Sequence, residues 1–187
     1  GVTGTTDSGT LWDVSVSVGE NQADYFIMNT VNASLGPDTP KEFNPGSYVQ
    51  LEKNFNIDFI KPVAVESFAS DLNVAYGLEF REEQFTVISG NEESWEIGPY
   101  FKQGFGIGSN GFGGFSPSMA GTWDRSNLAL YVDLEADVSE QLLMGLAVRY
   151  EDFDTFGSTS NSKLSFLYRA TDNLSLRGTT STGFRAP

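Results

Sequence analysis

The sequence predicts an all-β protein, an antiparallel up-and-down meander of about eight strands. Three observations predict it. Apolar residues alternate with polar or small ones in segment after segment, the period-2 signature of strands with unlike faces. Helical signals are scarce, because the 20 glycines are scattered among Ser, Thr, Asn and Asp, a mixture that breaks helices and makes turns. The connections between the alternating segments separate into tight ones and long ones, in a regular order.

The segments follow from the N-terminus. After a short start, GVTGT, the stretch LWDVSVSV sets Trp12, Val14, Val16 and Val18 against Asp13, Ser15 and Ser17. VQLEKNFNIDFI sets Val49, Leu51, Phe55, Ile57 and Phe59 against Gln50, Glu52, Asn54, Asn56 and Asp58. LNVAYGLEFRE opposes Leu72, Val74, Tyr76, Leu78 and Phe80 to Asn73, Ala75, Gly77, Glu79 and Arg81. NLALYVDLEA opposes Leu128, Leu130, Val132, Leu134 and Ala136 to Asn127, Ala129, Tyr131, Asp133 and Glu135. LLMGLAVRYE carries Leu142, Met144, Leu146, Val148 and Tyr150 on one side and Leu143, Gly145, Ala147, Arg149 and Glu151 on the other. KLSFLYRA and LSLRGTTSTGF complete the set.

Short connections fall at DSGT, DVSEQ and TDN, with PVAVESFASD moderate; long ones fall at Leu35–Tyr48, Ile88–Trp123 and Phe153–Ser160. An up-and-down order places the short turns at one end and the long loops at the other. That parity requires residues 11–34 to be one strand, with a β-bulge expected at Gly19 where the phase slips. Alternation by itself fits a soluble antiparallel sandwich equally well. Loop asymmetry and strand length favour a transmembrane barrel, with periplasmic turns and extracellular loops. Leu142 to Tyr150 covers roughly 20 Å of membrane normal at ~3.3 Å per residue and ~45° tilt, close to an apolar band of ~25 Å. Tyr150 then falls at the outer interface and Trp12 near the inner one. An eight-stranded barrel has room only for its own side chains. The charged groups Glu79, Arg81, Glu83, Asp133, Glu135, Arg149 and Glu151 suit a wider lumen, wet or plugged.

Composition removes whole classes of function. The 187-residue chain has 25 acidic and 11 basic side chains, a formal charge of −14, which disfavours nucleic acid and anionic lipid surfaces. It has no cysteine and no histidine, hence no disulfide framework, no thiolate metal site and no Ser-His-Asp triad. No apolar run is long enough for a membrane helix, which says nothing about membrane strands. Gly1 is followed by polar, turn-rich residues, not by a signal peptide. No catalytic residue, cofactor or resident metal is expected. The match of GIGSNG to G-x-G-x-x-G is empty, because no helix can follow it. EDFDTFG lacks the ordered oxygen ligands of a calcium loop and reads as a polar turn. Nothing pairs Glu79, Glu83, Glu135 and Glu151 as glycosidase carboxyls.

Ordered motifs carry a resemblance. AVRYEDF at 147–153, FGSTSNSKLSFLYR at 156–169, ATDNLSLRG at 170–178 and STGFRAP at 181–187 resemble the barrel of a TonB-dependent outer-membrane receptor. LWDVSVSVGENQ, VNASLGPDTPKEFNPGSY and LNVAYGLEFREEQFTV are similar to one large subset of these receptors. The resemblance implies that this chain is part of a larger transmembrane β-barrel in the bacterial outer membrane, of roughly 22 strands with a plugged lumen. It implies an active transporter, not an enzyme, energised through TonB. The implied partners are outer-membrane lipid, the receptor's own plug domain and remaining barrel strands, and a scarce large solute. A ferric siderophore is the default solute; cobalamin and oligosaccharides stay open. Residues 1–187 are expected to be a partial barrel, with the plug domain and TonB box absent from the chain. A fragment of this kind would not be a well-behaved monomer in water, because its edge strands are unpaired.

Two groups of side chains are candidates for contact with the solute. In the long loop at 90–115, Trp95, Tyr100, Phe101, Phe105, Phe112 and Phe115 can stack on a sugar or grip a hydrophobic chelate, or else pack on one another. On the polar face, Arg81, Arg149, Glu79 and Glu151 point into the expected lumen, with ion pairing among themselves the first expectation. Two rival architectures make different demands. A small complete outer-membrane barrel with a structural or adhesive role should end on a closing strand with a terminal aromatic. A secreted carbohydrate-binding β-sandwich needs no lipid-facing stripes.

Overall fold

The computed structural model describes residues 1–185. All eight strands belong to one antiparallel sheet in sequence order: β1 (Val2–Thr5), β2 (Leu11–Met28), β3 (Glu42–Val63), β4 (Leu72–Ser89), β5 (Gly121–Ser139), β6 (Leu142–Phe153), β7 (Gly157–Thr171) and β8 (Leu174–Ser181). Every strand pairs with its chain neighbours, so the meander expected from tight and long connections is the observed topology. A sandwich needs a second sheet to cover the apolar face, and among the described residues all the strands lie in one.

Two compact units divide the chain. One comprises Gly1–Ser17, Lys53–Glu82 and Arg125–Pro187; the other comprises Val18–Glu52 and Glu83–Asp124. In the first unit the registers are long and regular. Leu130, Val132 and Leu134 on β5 stand opposite Tyr150, Val148 and Leu146 on β6, and Leu146 and Met144 stand opposite Leu164 and Phe166 on β7. The apolar residues of three strands thus form continuous rows.

Those rows are the exposed side of the sheet. Leu130 is 49% exposed, Val148 46% and Phe166 44%, whereas Ala129 on the polar face is 0% exposed. Water-soluble sheets do the reverse, and an exposed apolar area of this extent needs an apolar partner. Trp12 lies two residues past the turn at 6–10, and Tyr150 sits three residues before Phe153 at the end of β6. Both are at strand ends, where interfacial aromatics belong.

Turn chemistry explains the short connections. Two-residue turns at 140–141 and 172–173 each follow a register irregularity, between Asp137 and Ser139 and between Arg169 and Thr171. Arg169 Nη1 donates to Asp137 Oδ1 at 2.9 Å beside them.

The structure departs from the expected boundaries in three places. The connection expected to be long from Phe153 to Ser160 is a turn at 154–156, with Phe153 opposite Gly157. Gly157 has φ +90°, which a residue with a Cβ rarely adopts, and this lets the chain reverse within three residues. SNSK and GSTS are as polar as a loop but continue the ladder with β6. Likewise β3 begins at Glu42, inside the expected loop Leu35–Tyr48. Strand β2 runs unbroken through Gly19, as the parity argument required, but ends at Met28 and not near residue 34. At 22 residues, β3 spans about 50 Å of membrane normal at ~45° tilt, well beyond what a bilayer crossing needs.

Candidate functional site

Within the first unit the polar face carries a joined set of charges. Glu79 on β4 bridges two arginines: Arg81 Nη2 lies 2.7 Å from its Oε1 and Arg149 Nη2 3.2 Å from its Oε2. Arg149 also reaches Glu151 Oε1 at 3.0 Å, and Asn127 Nδ2 donates to the same oxygen at 3.3 Å. Arg81 Nε donates to Asn54 Oδ1 on β3 at 3.1 Å. The structure therefore brings together Arg81, Arg149, Glu79 and Glu151, four residues the sequence placed on one face. Two positive and two negative groups balance, so the set is a self-neutralised network and not a bare anion cradle. Only partial burial makes it affordable, since fully desolvated ion pairs often fail to recover their hydration.

Beside this network, Tyr131 on β5 crosses β4 to donate its hydroxyl to Asp58 Oδ1 on β3 at 2.6 Å. It can do so because the intervening residue is Gly77. A Cβ there would stand 2.5 Å from Asp58 Oδ1 and 2.7 Å from the Tyr131 ring. One glycine thus lets a single side chain tie three strands together.

The second unit holds both long connections, 29–41 and 90–120. They are folded, not loose. A short 3-10 helix at Ala33–Asp38 begins at Asn32, whose side chain accepts from the Ser34 backbone N–H at 3.2 Å and from the Ser34 hydroxyl at 2.7 Å. The Asn32 amide then donates to the carbonyls of Glu93 and Glu96, at 3.0 and 3.1 Å. Ser34 Oγ accepts from the Gly98 N–H at 2.9 Å. Asn32 and Ser34 are both 0% exposed, and their hydrogen bonds lock the first long connection to the second. Ser109, within GIGSNG, donates from its backbone N–H to the Ser94 carbonyl, so that stretch serves a loop crossing.

The six aromatic candidates separate into three pairs. Phe115 is 6% exposed and lies 4.8 Å, centroid to centroid, from Tyr48, while Phe112 stacks on Tyr25 at 4.8 Å. These two rings pack inward, and Phe85, 43% exposed, borders the cluster 5.3 Å from Tyr48. Trp95 is half-buried and donates its indole N–H to the Gly90 carbonyl at 3.3 Å. Tyr100 is half-buried too and meets Phe105 edge to face at 6.5 Å. Phe101 and Phe105 present 49% and 48% of their surface, with Ile97 and Ile107 exposed in the same connection. Of the six candidates, the rings left free to touch another molecule are therefore Phe101 and Phe105.

Sequence reasoning missed Tyr25, Tyr48, Phe85, Asn32 and Ser34. A signal existed for two of them. Tyr48 shares the strand phase of Gln50 and Glu52, and Phe85 that of Arg81 and Glu83, so each is an aromatic on a polar face, which calls for a cover. A further aromatic trio, Phe153, Phe156 and Phe184, closes over the 154–156 turn with centroid separations of 4.4, 5.6 and 6.1 Å. Asp154 secures that turn by accepting from the Ser126 hydroxyl at 2.9 Å and N–H at 3.1 Å. Within EDFDTFG, residues 151–153 thus still belong to β6, 154–156 form the turn and Gly157 opens β7.

One carboxyl in the second unit is electrostatically distinct. Asp24 accepts from the Ser47 hydroxyl at 2.5 Å and from the Gln22 amide at 2.8 Å. The Ser47 donor, then the Gln22 donor, holds it below the usual carboxylate range.

Comparison with known proteins adds one finding. The family model described as TonB dependent receptor-like, beta-barrel, matches residues 1–187. No curated protein and no solved structure matches.

Proposed function

Since the chain belongs to the TonB-dependent receptor β-barrel family, we propose that its long connection at 90–120 contacts a ferric siderophore as the transported solute. The coarser function follows from membership: the protein is an outer-membrane transporter energised through TonB, and not an enzyme. Its apolar rows meet lipid, and its polar face turns away from it.

The solute assignment rests on one observation, the pair Phe101 and Phe105, left exposed in a connection whose backbone is otherwise locked. A preformed mount carrying apolar rings loses little entropy on binding, which favours capture of a dilute ligand. A ferric chelate with an apolar exterior fits such a mount, whereas cobalamin and oligosaccharides would lean more on hydrogen bonding. In the proposed arrangement the long connections face the outside, and Arg81, Arg149, Glu79 and Glu151 line the passage. There they give a polar, uncharged-on-balance surface against which the plug domain rests. We further propose that the plug and the TonB box lie on segments other than residues 1–187, which the barrel model covers throughout.

The test is growth on iron supplied only as a defined ferric chelate, with the full receptor as sole route of entry. Phe101→Ala combined with Phe105→Ala should abolish growth at limiting chelate while leaving the amount of receptor in the membrane unchanged. Unimpaired growth, or a growth requirement met only by cobalamin or a sugar polymer, would refute the siderophore reading.

A further inference from the structure

We infer that two glycines, Gly4 and Gly178, together with the aromatic rings that lie on them, are register locks that guide β1 and β8 into place while the barrel assembles. Both joints belong to the first unit and to the lipid side of the sheet. Gly4 on β1 stands directly opposite Trp12 on β2, and Gly178 on β8 stands directly opposite Phe166 on β7. Each ring leans across onto its glycine. A Cβ at Gly4 would stand 2.6, 2.7 and 2.9 Å from three atoms of the Trp12 indole, and one at Gly178 would stand 2.5 and 2.9 Å from two carbons of the Phe166 ring. Glycine alone leaves each ring where it is. Both strands contain a single glycine, and in both it is half-buried while every other residue is exposed. Phe166 has no polar atom to aim, so its joint differs from the crossing of Tyr131 over Gly77, which serves a hydrogen bond.

These are strands in which the hydrophobic pattern says little about register. Apart from its glycine, β1 offers only Val2 to lipid, and β8 carries Leu174 and Leu176 but otherwise Ser, Thr, Gly and Arg177. A slip by one residue exchanges the faces and drives Arg177 into lipid, so the bilayer itself excludes it. A slip by two keeps the faces. It sets Val2 beneath Trp12, and Leu176 or Thr180 beneath Phe166, with nothing in polarity to forbid it. The turns resist such a slip weakly: residues 6–10 form an open connection, and the register of β7 on β8 already shifts between Arg169 and Thr171. The rings supply the missing discrimination, because every two-residue slip puts a Cβ where a ring must lie. The covered glycine in turn loses the exposure that makes it weak in a strand.

The experiment follows assembly of the full receptor into phospholipid vesicles, by the rate at which the folded form appears and by disulfide trapping along the way. For trapping, Ser165→Cys is combined in turn with Thr179→Cys, its native partner, and with Arg177→Cys or Ser181→Cys, its partners in the two slipped registers, in a receptor without other cysteines. Only directly opposite residues come close enough to join. Gly4→Ala, Gly178→Ala, Trp12→Leu and Phe166→Leu should each slow assembly by roughly two- to fivefold, the scale of one cross-strand side-chain pair. Gly178→Ala and Phe166→Leu should also yield slipped pairs where wild type yields the native pair alone. Gly19→Ala is the control: a Cβ there meets nothing within 4 Å, so it should assemble at least as fast as wild type, since glycine ordinarily weakens a strand. The combination Gly178→Ala, Phe166→Leu separates a lock from a clash. It removes the collision but not the loss of the lock, so it should stay slow and slipped; recovery of the wild-type rate with the native pair alone overturns the inference. Wild-type rates for Phe166→Leu and Trp12→Leu overturn it too, as does slow assembly with no slipped pair trapped. Should Gly178→Ala never reach the folded form, the pairs trapped in Phe166→Leu decide.

Discussion

Replacing Leu146 by Arg should destabilise the receptor in a lipid bilayer by about 2–4 kcal/mol, the cost of a cation on a lipid face near the midplane. Leu146 sits in the middle of β6, between the 140–141 turn and the 154–156 turn, opposite Leu134 on one side and Leu164 on the other. Each residue advances about 2.3 Å along the membrane normal at ~45° tilt, so Leu146 lies roughly 9 Å from both Leu142 and Tyr150. That is too deep for a single arginine to snorkel without distorting the bilayer. Its next neighbour provides the control. Ala147 faces the opposite way, opposite Asp133 and Lys163, and Ala147→Arg adds its charge to a polar row. It should cost no more than about 1 kcal/mol. Denaturant-induced unfolding of the full receptor from phospholipid vesicles reads both values. Equal costs, or a larger cost at Ala147, would show that the apolar rows do not face lipid, and the account of the two faces would fail.

Gly77→Val places a side chain where the Tyr131 ring and Asp58 already lie, and should cost several kcal/mol or prevent assembly; Tyr131→Phe, which removes only the hydroxyl, should cost about 1–2 kcal/mol in the same unfolding assay. Asn32→Ala leaves the Glu93 and Glu96 carbonyls and the Ser34 donors without their partner, so protease should cut the 90–120 connection much faster while the amount of assembled barrel is unchanged. The Asp24 carboxyl, held below the usual carboxylate range by the Ser47 and then the Gln22 donor, contributes stability that is present above that range and is lost as pH falls through the lowered folded pKa. Ser47→Ala should move the Asp24 titration, followed by carboxyl NMR, upward toward the usual carboxylate range and remove most of that acid-dependent contribution, the Gln22 donor remaining; an unmoved titration would show that the Ser47 hydrogen bond is not its cause.

Much of this protein is legible without coordinates because strand alternation is a local signal. The side-chain period of two is fixed by backbone geometry, so Leu142, Met144, Leu146 and Val148 share a side wherever the strand lies. Tight turns force chain neighbours to pair, so the meander follows as well. The grouping of Glu79, Arg81, Arg149 and Glu151 was readable from the same phase. The extent of a polar strand was not. Residues 157–160 and 42–48 carry little hydrophobic pattern, and they become strand only because a neighbouring strand offers backbone partners.

What the sequence determined by itself is the assignment of each residue to one of two faces, together with the order in which strands pair, since both are set by near-neighbour backbone sterics. The tertiary structure decided which of the loop aromatics are covered and which are free. Phe112 and Phe115 turn inward to Tyr25 and Tyr48, while Phe101 and Phe105 remain exposed, although all four stand in one glycine-rich stretch. That outcome depends on Asn32 and Ser34 gripping carbonyls and an N–H more than sixty positions away. Contacts between residues so far apart have no periodic trace in the chain, because they are selected by the geometry of the assembled backbone and not by the conformational preference of any local segment.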